Sequence, residues 1–284
     1  MVQEQYGSHD LEQWREEQER VEEEVVDQVL GEGEGELRLE VAMDGVKAHI
    51  DGTWKEPKVG SIQVRRVVPG AEEPKLGEVV ARRYTCVLGS ADDLGARIRG
   101  IIREAGWSHL RIGAVLGDGA PWIWNLADRL FPQAPQILDW FHLKEHFYTF
   151  ANVQFGQGHP DAKAWVEAKM LRLGEARVGA VLSALKRMKP RNRAAAEEKA
   201  NLVRYVETNK TRISYRQALQ DGGAIGSGAV EGACKHLVQA RFKRAGLRWK
   251  RPGFLNVLAL RVARLNGTLG TFREVRSLPS RSAA

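Results

Sequence analysis

At 284 residues, with 43% hydrophobic side chains, the chain is long enough to bury one large core or two modest ones. Residues 1–40 carry three basic and fourteen acidic side chains, a net −11, so the overall +7 leaves +18 on residues 41–284. No apolar run approaches the ~20 residues of a membrane span, the acidic start lacks a secretion signal, and Cys86 and Cys234 are too few for a disulfide framework or a cysteine-based zinc site.

In chain order, residues 9–30 place Trp14, Val21, Val25 and Val29 at helical spacing among glutamates, which predicts an amphipathic helix. The Gly-Glu alternation of residues 31–36 then reads as a self-repelling linker. This acidic segment is either a solvated arm or a helix that docks on the basic body and masks it. From residue 37 the pattern changes to short β-prone runs at 37–43, 61–68, 84–88, 112–116 and 136–138. A helix is predicted at 91–105 with Ser90 as its cap, and another at 122–130. Strands and helices mixed in this way make an α/β layer with a mixed sheet. Residues 143–218 are rich in Ala, Leu, Lys, Arg and Glu and read as helical. A long helix is expected at 229–244, with Ser227 as its cap, and a last one at 256–265 after Pro252-Gly253. The resulting division is an acidic helix and linker at 1–36, a first α/β part at 37–142, a helical insertion at 143–220, and closing helices with a basic tail at 221–284.

Three acidic residues stand out by position. Asp44 and Asp118 each follow an apolar strand and precede a glycine, and Glu231 sits in the first turn of a helix that leaves a Gly-rich turn. A carboxylate at a strand end stays partly wet and can hold a hard cation through oxygen. Asp-Gly is also a common turn dipeptide, and Asp51-Gly52 reads as a turn alone. The Gly-rich run at 222–228 lacks the Gly-Lys-Ser/Thr of a phosphate loop. His142-Leu143-Lys144-Glu145-His146 matches the His-x-x-Glu-His pattern of one zinc peptidase class, with Glu231 as the nearest candidate third ligand. Farther on, Lys235, Arg241, Lys243, Arg244, Arg248, Lys250 and Arg251 occur with no acid among them, and Phe242 and Trp249 are interleaved. A basic helix with aromatics beside a carboxylate is what a nucleic-acid enzyme needs, with cations holding the phosphates, and the density of this acid-free stretch favours that reading over a solvated helix face.

Asp118-Gly119, the helix that follows, and the run Gln136-Ile137-Leu138-Asp139-Trp140-Phe141-His142 resemble the Asp-Gly through Cys/Asp-x-x-His signature of Mutator-like transposases. Ile225-Gly226-Ser227-Gly228-Ala229-Val230-Glu231-Gly232-Ala233-Cys234-Lys235 resembles the last catalytic segment of insertion-sequence transposases of the ISKra type. The resemblance implies an RNase H-like fold: a mixed five-stranded sheet flanked by helices, with an all-helical insertion before the last catalytic helix. It implies a DDE triad of Asp44, Asp118 and Glu231 holding two Mg²⁺ or Mn²⁺ ions, with Asp139 and His142 as accessory residues. Double-stranded DNA, as transposon ends and target, is the implied substrate, handled by a homo-oligomer in a bacterial cytoplasm or nucleoid, with no membrane partner. Lys235, Arg241, Lys243, Arg244, Arg248, Trp249, Lys250 and Arg251 are the expected DNA contacts. The chain starts nearer the catalytic segment than such enzymes do, so a truncated or domesticated DNA-binding derivative is the alternative expectation.

Overall fold

A computed structural model of the protein describes residues 34–68, 76–243 and 247–269. The predicted acidic helix, and all but the end of its linker, lie outside the described residues. Seven strands form: β1 (Glu36–Gly45), β2 (Ala48–Ile50), β3 (Thr53–Lys55), β4 (Lys58–Val67), β5 (Glu78–Val87), β6 (Arg111–Gly117) and β7 (Gln136–Leu138). Five of them make one mixed sheet in the order β5-β4-β1-β6-β7, and β2 pairs with β3 as a separate hairpin. β4 and β5 are antiparallel, while β6 and β7 are parallel. Helices flank the sheet, which is the arrangement the resemblance implies.

The described residues divide into two compact units. One comprises the described residues up to Arg66, those of Glu78–Arg111 and those from Gly228 onward; the other comprises the described residues of Val67–Gly77 and Ile112–Ser227. In the first unit, Leu39, Val41, Ala42 and Met43 on β1 are all buried, so this strand is covered on both faces rather than alternating. Glu40 on β1 and Arg65 on β4 are only 3% and 5% exposed and form an ion pair of 2.8 Å. α1 (Ala91–Glu104) begins with a capping box in which Ser90 and Asp93 exchange side-chain and backbone hydrogen bonds. It packs so closely that a Cβ at Gly60 would lie 3.1–3.3 Å from Thr85 and Ile98.

The second unit holds α2 (Pro121–Leu130), β7 and the helices α3 (Trp140–Phe155), α4 (Pro160–Gly174), α5 (Val178–Arg187), α6 (Arg193–Thr208) and α7 (Tyr215–Gln220). Asp139, His159 and Asn192 cap α3, α4 and α6 through their side chains. α3 is the hub, with α4 and α6 against it and Leu143, Phe147 and Phe150 fully buried.

Several elements depart from the sequence expectation. β5 starts six residues before the predicted run, because it pairs with β4 from Lys58 opposite Val87 to Arg66 opposite Glu78, with one register shift between Val64 and Arg65. Asp51-Gly52 is a turn, as expected, but it closes the unpredicted hairpin β2–β3, with φ of 51° and 78° at the two turn residues. The helix predicted at 229–244 is composite: α8 (Gly228–Ala233) passes without a break into a π-helical stretch (Cys234–Gln239) and a short α9 (Ala240–Phe242). α10 (Arg251–Leu265) starts five residues early, because Pro252 fits a first helical turn, where its missing N–H costs nothing.

The Glu40–Arg65 pair generates a stability prediction. Glu40→Gln leaves Arg65 with a weakened partner in a dry site and should cost about 3–5 kcal/mol, whereas Glu40→Leu combined with Arg65→Met should cost far less. Urea denaturation of both variants measures the difference.

Candidate functional site

In the first unit, β1 delivers Asp44 to its C-terminal end, where the carboxylate is half-buried. Asp44 Oδ1 accepts from the backbone N–H of Gly45 at 2.6 Å. The Cys234 thiol donates to Asp44 Oδ2 at 3.3 Å, an ordinary length for a sulfur donor. This contact exists because α8 packs against β1 and runs on into the π-helical stretch that starts at Cys234. Burial pushes the Cys234 thiol far up, and the charges of Asp44 and Glu231 push it further. Cys234 is therefore a protonated thiol that donates to Asp44. Glu231 lies one turn before Cys234, in the first turn of α8, with its side chain exposed.

In the second unit, Asp118 and Asp139 follow Gly117 and Leu138, which are partners in the β6–β7 ladder. Parallel pairing thus brings both aspartates to the same end of that strand pair. Asp118 is half-buried and its Oδ1 accepts from Ala120 N at 2.9 Å, closing the turn into α2. The Tyr205 hydroxyl, from α6, donates to the carbonyl of Asp118 at 2.5 Å. The same ring lies where a side chain at residue 119 would go: a Cβ on Gly119 would be 2.9 Å from it, and φ there is +99°. Glycine is required at this position on both counts.

His146 stacks on Tyr205 with ring centroids 4.0 Å apart, and His142 meets His146 edge-on at 5.0 Å. Burial, helped by His142, holds His146 below its ordinary 6.5, against the opposing pull of Glu145, Asp118 and Glu198. Burial and the two aspartates raise the Tyr205 hydroxyl, so it stays a donor. Asp139 is buried, and its two oxygens are taken: Oδ1 by His142 N at 2.6 Å, and Oδ2 by both the N–H and the hydroxyl of Ser227. The Ser227 hydroxyl, just before α8, donates to Asp139, because that buried carboxylate needs donors. The exposed ring of Phe141 closes over Gly226, where a Cβ would stand 2.7 Å away.

The expected DNA contacts divide by environment. Lys235, Lys243, Arg248, Lys250 and Arg251 are exposed, and Arg244 lies outside the described residues. Trp249 packs edge-on against Phe242 at 4.8 Å, and the Arg241 guanidinium lies 5.2 Å from its ring centre. Its buried indole N–H has no partner among the described residues. The segment is anchored by Asp51 N–H donating to Trp249 O at 2.9 Å, and by Arg251 N–H donating to the Asp51 carboxylate at 3.0 Å.

Among the described residues, no three His, Cys, Asp or Glu side chains are gathered closely enough to hold a metal ion on their own. No described helix is long and apolar enough to cross a membrane. Cys234, Tyr205 and Ser227 are the residues that sequence reasoning missed as partners of the aspartates. For Cys234 a signal existed, since it stands three residues after Glu231 on one helix face.

Fold and site together define an α/β protein whose mixed sheet ends β1 and β6 in half-buried aspartates. A family model described as Uncharacterised protein family (UPF0236) matches residues 55–278, and the chain belongs to that family. The match includes Asp118, Asp139, His142 and Glu231 and begins after Asp44. No curated protein matches the chain.

Two predictions come from the Tyr205 contacts. Gly119→Ala should cost about 1–3 kcal/mol through backbone strain, and Tyr205→Phe about 1 kcal/mol through the lost hydrogen bond; thermal melts of both variants check the order. Because His146 binds its proton less well folded than unfolded, its contribution is complete above its ordinary 6.5 and is lost as pH falls below it. Stability measured from pH 7.5 to 5 should therefore fall less steeply in His146→Phe than in the parent protein.

Proposed function

We propose that this chain is a DDE transposase of the insertion-sequence type, acting on double-stranded DNA. The observation that carries the reading is the sheet order β5-β4-β1-β6-β7 with Asp44 closing β1 and Asp118 closing β6. Glu231, in the first turn of a helix laid against β1, completes the acidic set that the motif resemblance names.

The donor chemistry suits a hard cation: all three side chains offer carboxylate oxygen, and the neighbouring thiol is held protonated. Since no three such side chains are gathered to hold an ion on their own among the described residues, the assignment of Mg²⁺ or Mn²⁺ to Asp44, Asp118 and Glu231 rests on the motif resemblance; such ions, when bound, would supply Lewis-acid stabilisation of charge at a phosphate. The remaining work belongs to the chain's own groups. Cys234 Sγ–H fixes one oxygen of Asp44, Tyr205 pins the peptide of Asp118, and Asp139 holds the turn that ends at Ser227. The exposed Lys235, Lys243, Arg248, Lys250 and Arg251 would grip phosphates flanking the scissile bond. Assembly of two or more copies on DNA ends belongs to the same proposal.

Labelled duplex DNA incubated with Mn²⁺, Mg²⁺ or EDTA tests it. The expected result is metal-dependent cutting that Asp44→Ala, Asp118→Asn and Glu231→Gln each reduce to background while DNA binding persists. DNA binding without metal-dependent cuts would instead identify a DNA-binding protein that lacks catalysis.

A further inference from the structure

A cleft of about 330 Å³ in the first unit is lined by His236, Leu237, Arg261, Arg264 and Leu265. None of its lining residues is among those expected to contact DNA, although Lys235 directly precedes His236, and two features make its chemistry specific. The first is the π-helical stretch, which ordinarily marks a place where helical geometry is bent to a purpose. Arg261 Nε–H donates to the carbonyls of His236 at 3.0 Å and Leu237 at 2.9 Å, and an NH₂ group of the same guanidinium also donates to His236 O. The guanidinium is thereby fixed before any ligand arrives, so little side-chain entropy remains to be lost on binding.

The second feature is charge. Arg264 stands one helical turn after Arg261 on α10, on the same face, and is exposed. His236 adds an exposed imidazole, Leu237 and Leu265 supply apolar walls, and no acidic side chain is among the described lining residues. Two guanidinium groups and a ring nitrogen around this concave surface match the tetrahedral oxygens of a phosphate.

We propose that this cleft binds a phosphate group, supplied either by a nucleic-acid backbone or as a free anion. The proposal requires no DNA cleavage and stands independently of the catalytic reading. Arg261 also ties α10 to the π-helical carbonyls, so the test leaves it intact and uses Arg264→Ala and His236→Ala, with the exposed Arg99→Ala on α1 as control.

The measurement is duplex-DNA affinity by fluorescence anisotropy across a salt series, together with the melting temperature in the presence and absence of inorganic phosphate. If the backbone supplies the group, Arg264→Ala lowers the slope of log affinity against log salt by about one, the share of a single phosphate, and Arg99→Ala does not. If the ligand is a free anion, DNA binding is unchanged, but inorganic phosphate raises the melting temperature of the parent protein and not of Arg264→Ala or His236→Ala. Parent-like DNA slopes together with equal phosphate responses in all variants would overturn the proposal. An Arg99→Ala loss as large as that of Arg264→Ala would overturn it too, because the binding would then be diffuse charge.

Discussion

The carboxylate of Asp139 is the fixed point of the second unit. Burying an ionised carboxylate is costly unless strong donors replace its water, and here those donors come from two distant stretches of chain. The N–H of His142 starts α3, while the N–H and hydroxyl of Ser227 end the Gly-rich turn. Around it, Asp139 N–H donates to Gly117 O at the end of β6, and Trp140 N–H donates to Ile225 O in the turn, at 2.8 and 2.9 Å. One buried charge thus sets the end of the β6–β7 pair, the start of the hub helix and the path of the turn that precedes α8.

Asp118 shows the opposite treatment. Its neighbouring aspartate is consumed by structure, whereas the Asp118 side chain gives one oxygen to a local turn and its position is secured through its backbone. Tyr205 does this with a single short hydrogen bond, and its ring also fills the space that a glycine leaves at residue 119. His146 stacks on the outer face of that ring and is kept neutral by burial, so the phenol is backed by an uncharged group near neutral pH. The histidine pair, which in sequence suggests a peptidase motif, is engaged with this tyrosine.

Asp44 is held differently again. A thiol is a weak donor, but a buried one between carboxylates has little reason to ionise, so it gives Asp44 a contact that adds no positive charge. Within the first unit, a full ion pair joins Glu40 and Arg65 in the dry interior, and a neutral thiol donates to Asp44 at the strand end.

The β-prone runs at 37–43, 112–116 and 136–138 determined β1, β6 and β7 by themselves, because they are mostly apolar and bounded by turn residues. Ser90 with Asp93 determined the start of α1, since a capping box closes within four residues. The strand-end placement of Asp44 and Asp118 was legible for the same local reason. Long-range pairing decided the rest. β4 extended β5 back to Glu78, and the Asp139 carboxylate drew the hydroxyl of Ser227, 88 residues on in the chain. Packing against β1 turned Cys234 toward Asp44, and the Arg261 guanidinium reached two carbonyls of a helix whose π-helical stretch no periodicity announces. Each of these depends on a partner 12 to 190 residues away in the chain, and spacing within a single element cannot encode a contact whose other half lies in a different one.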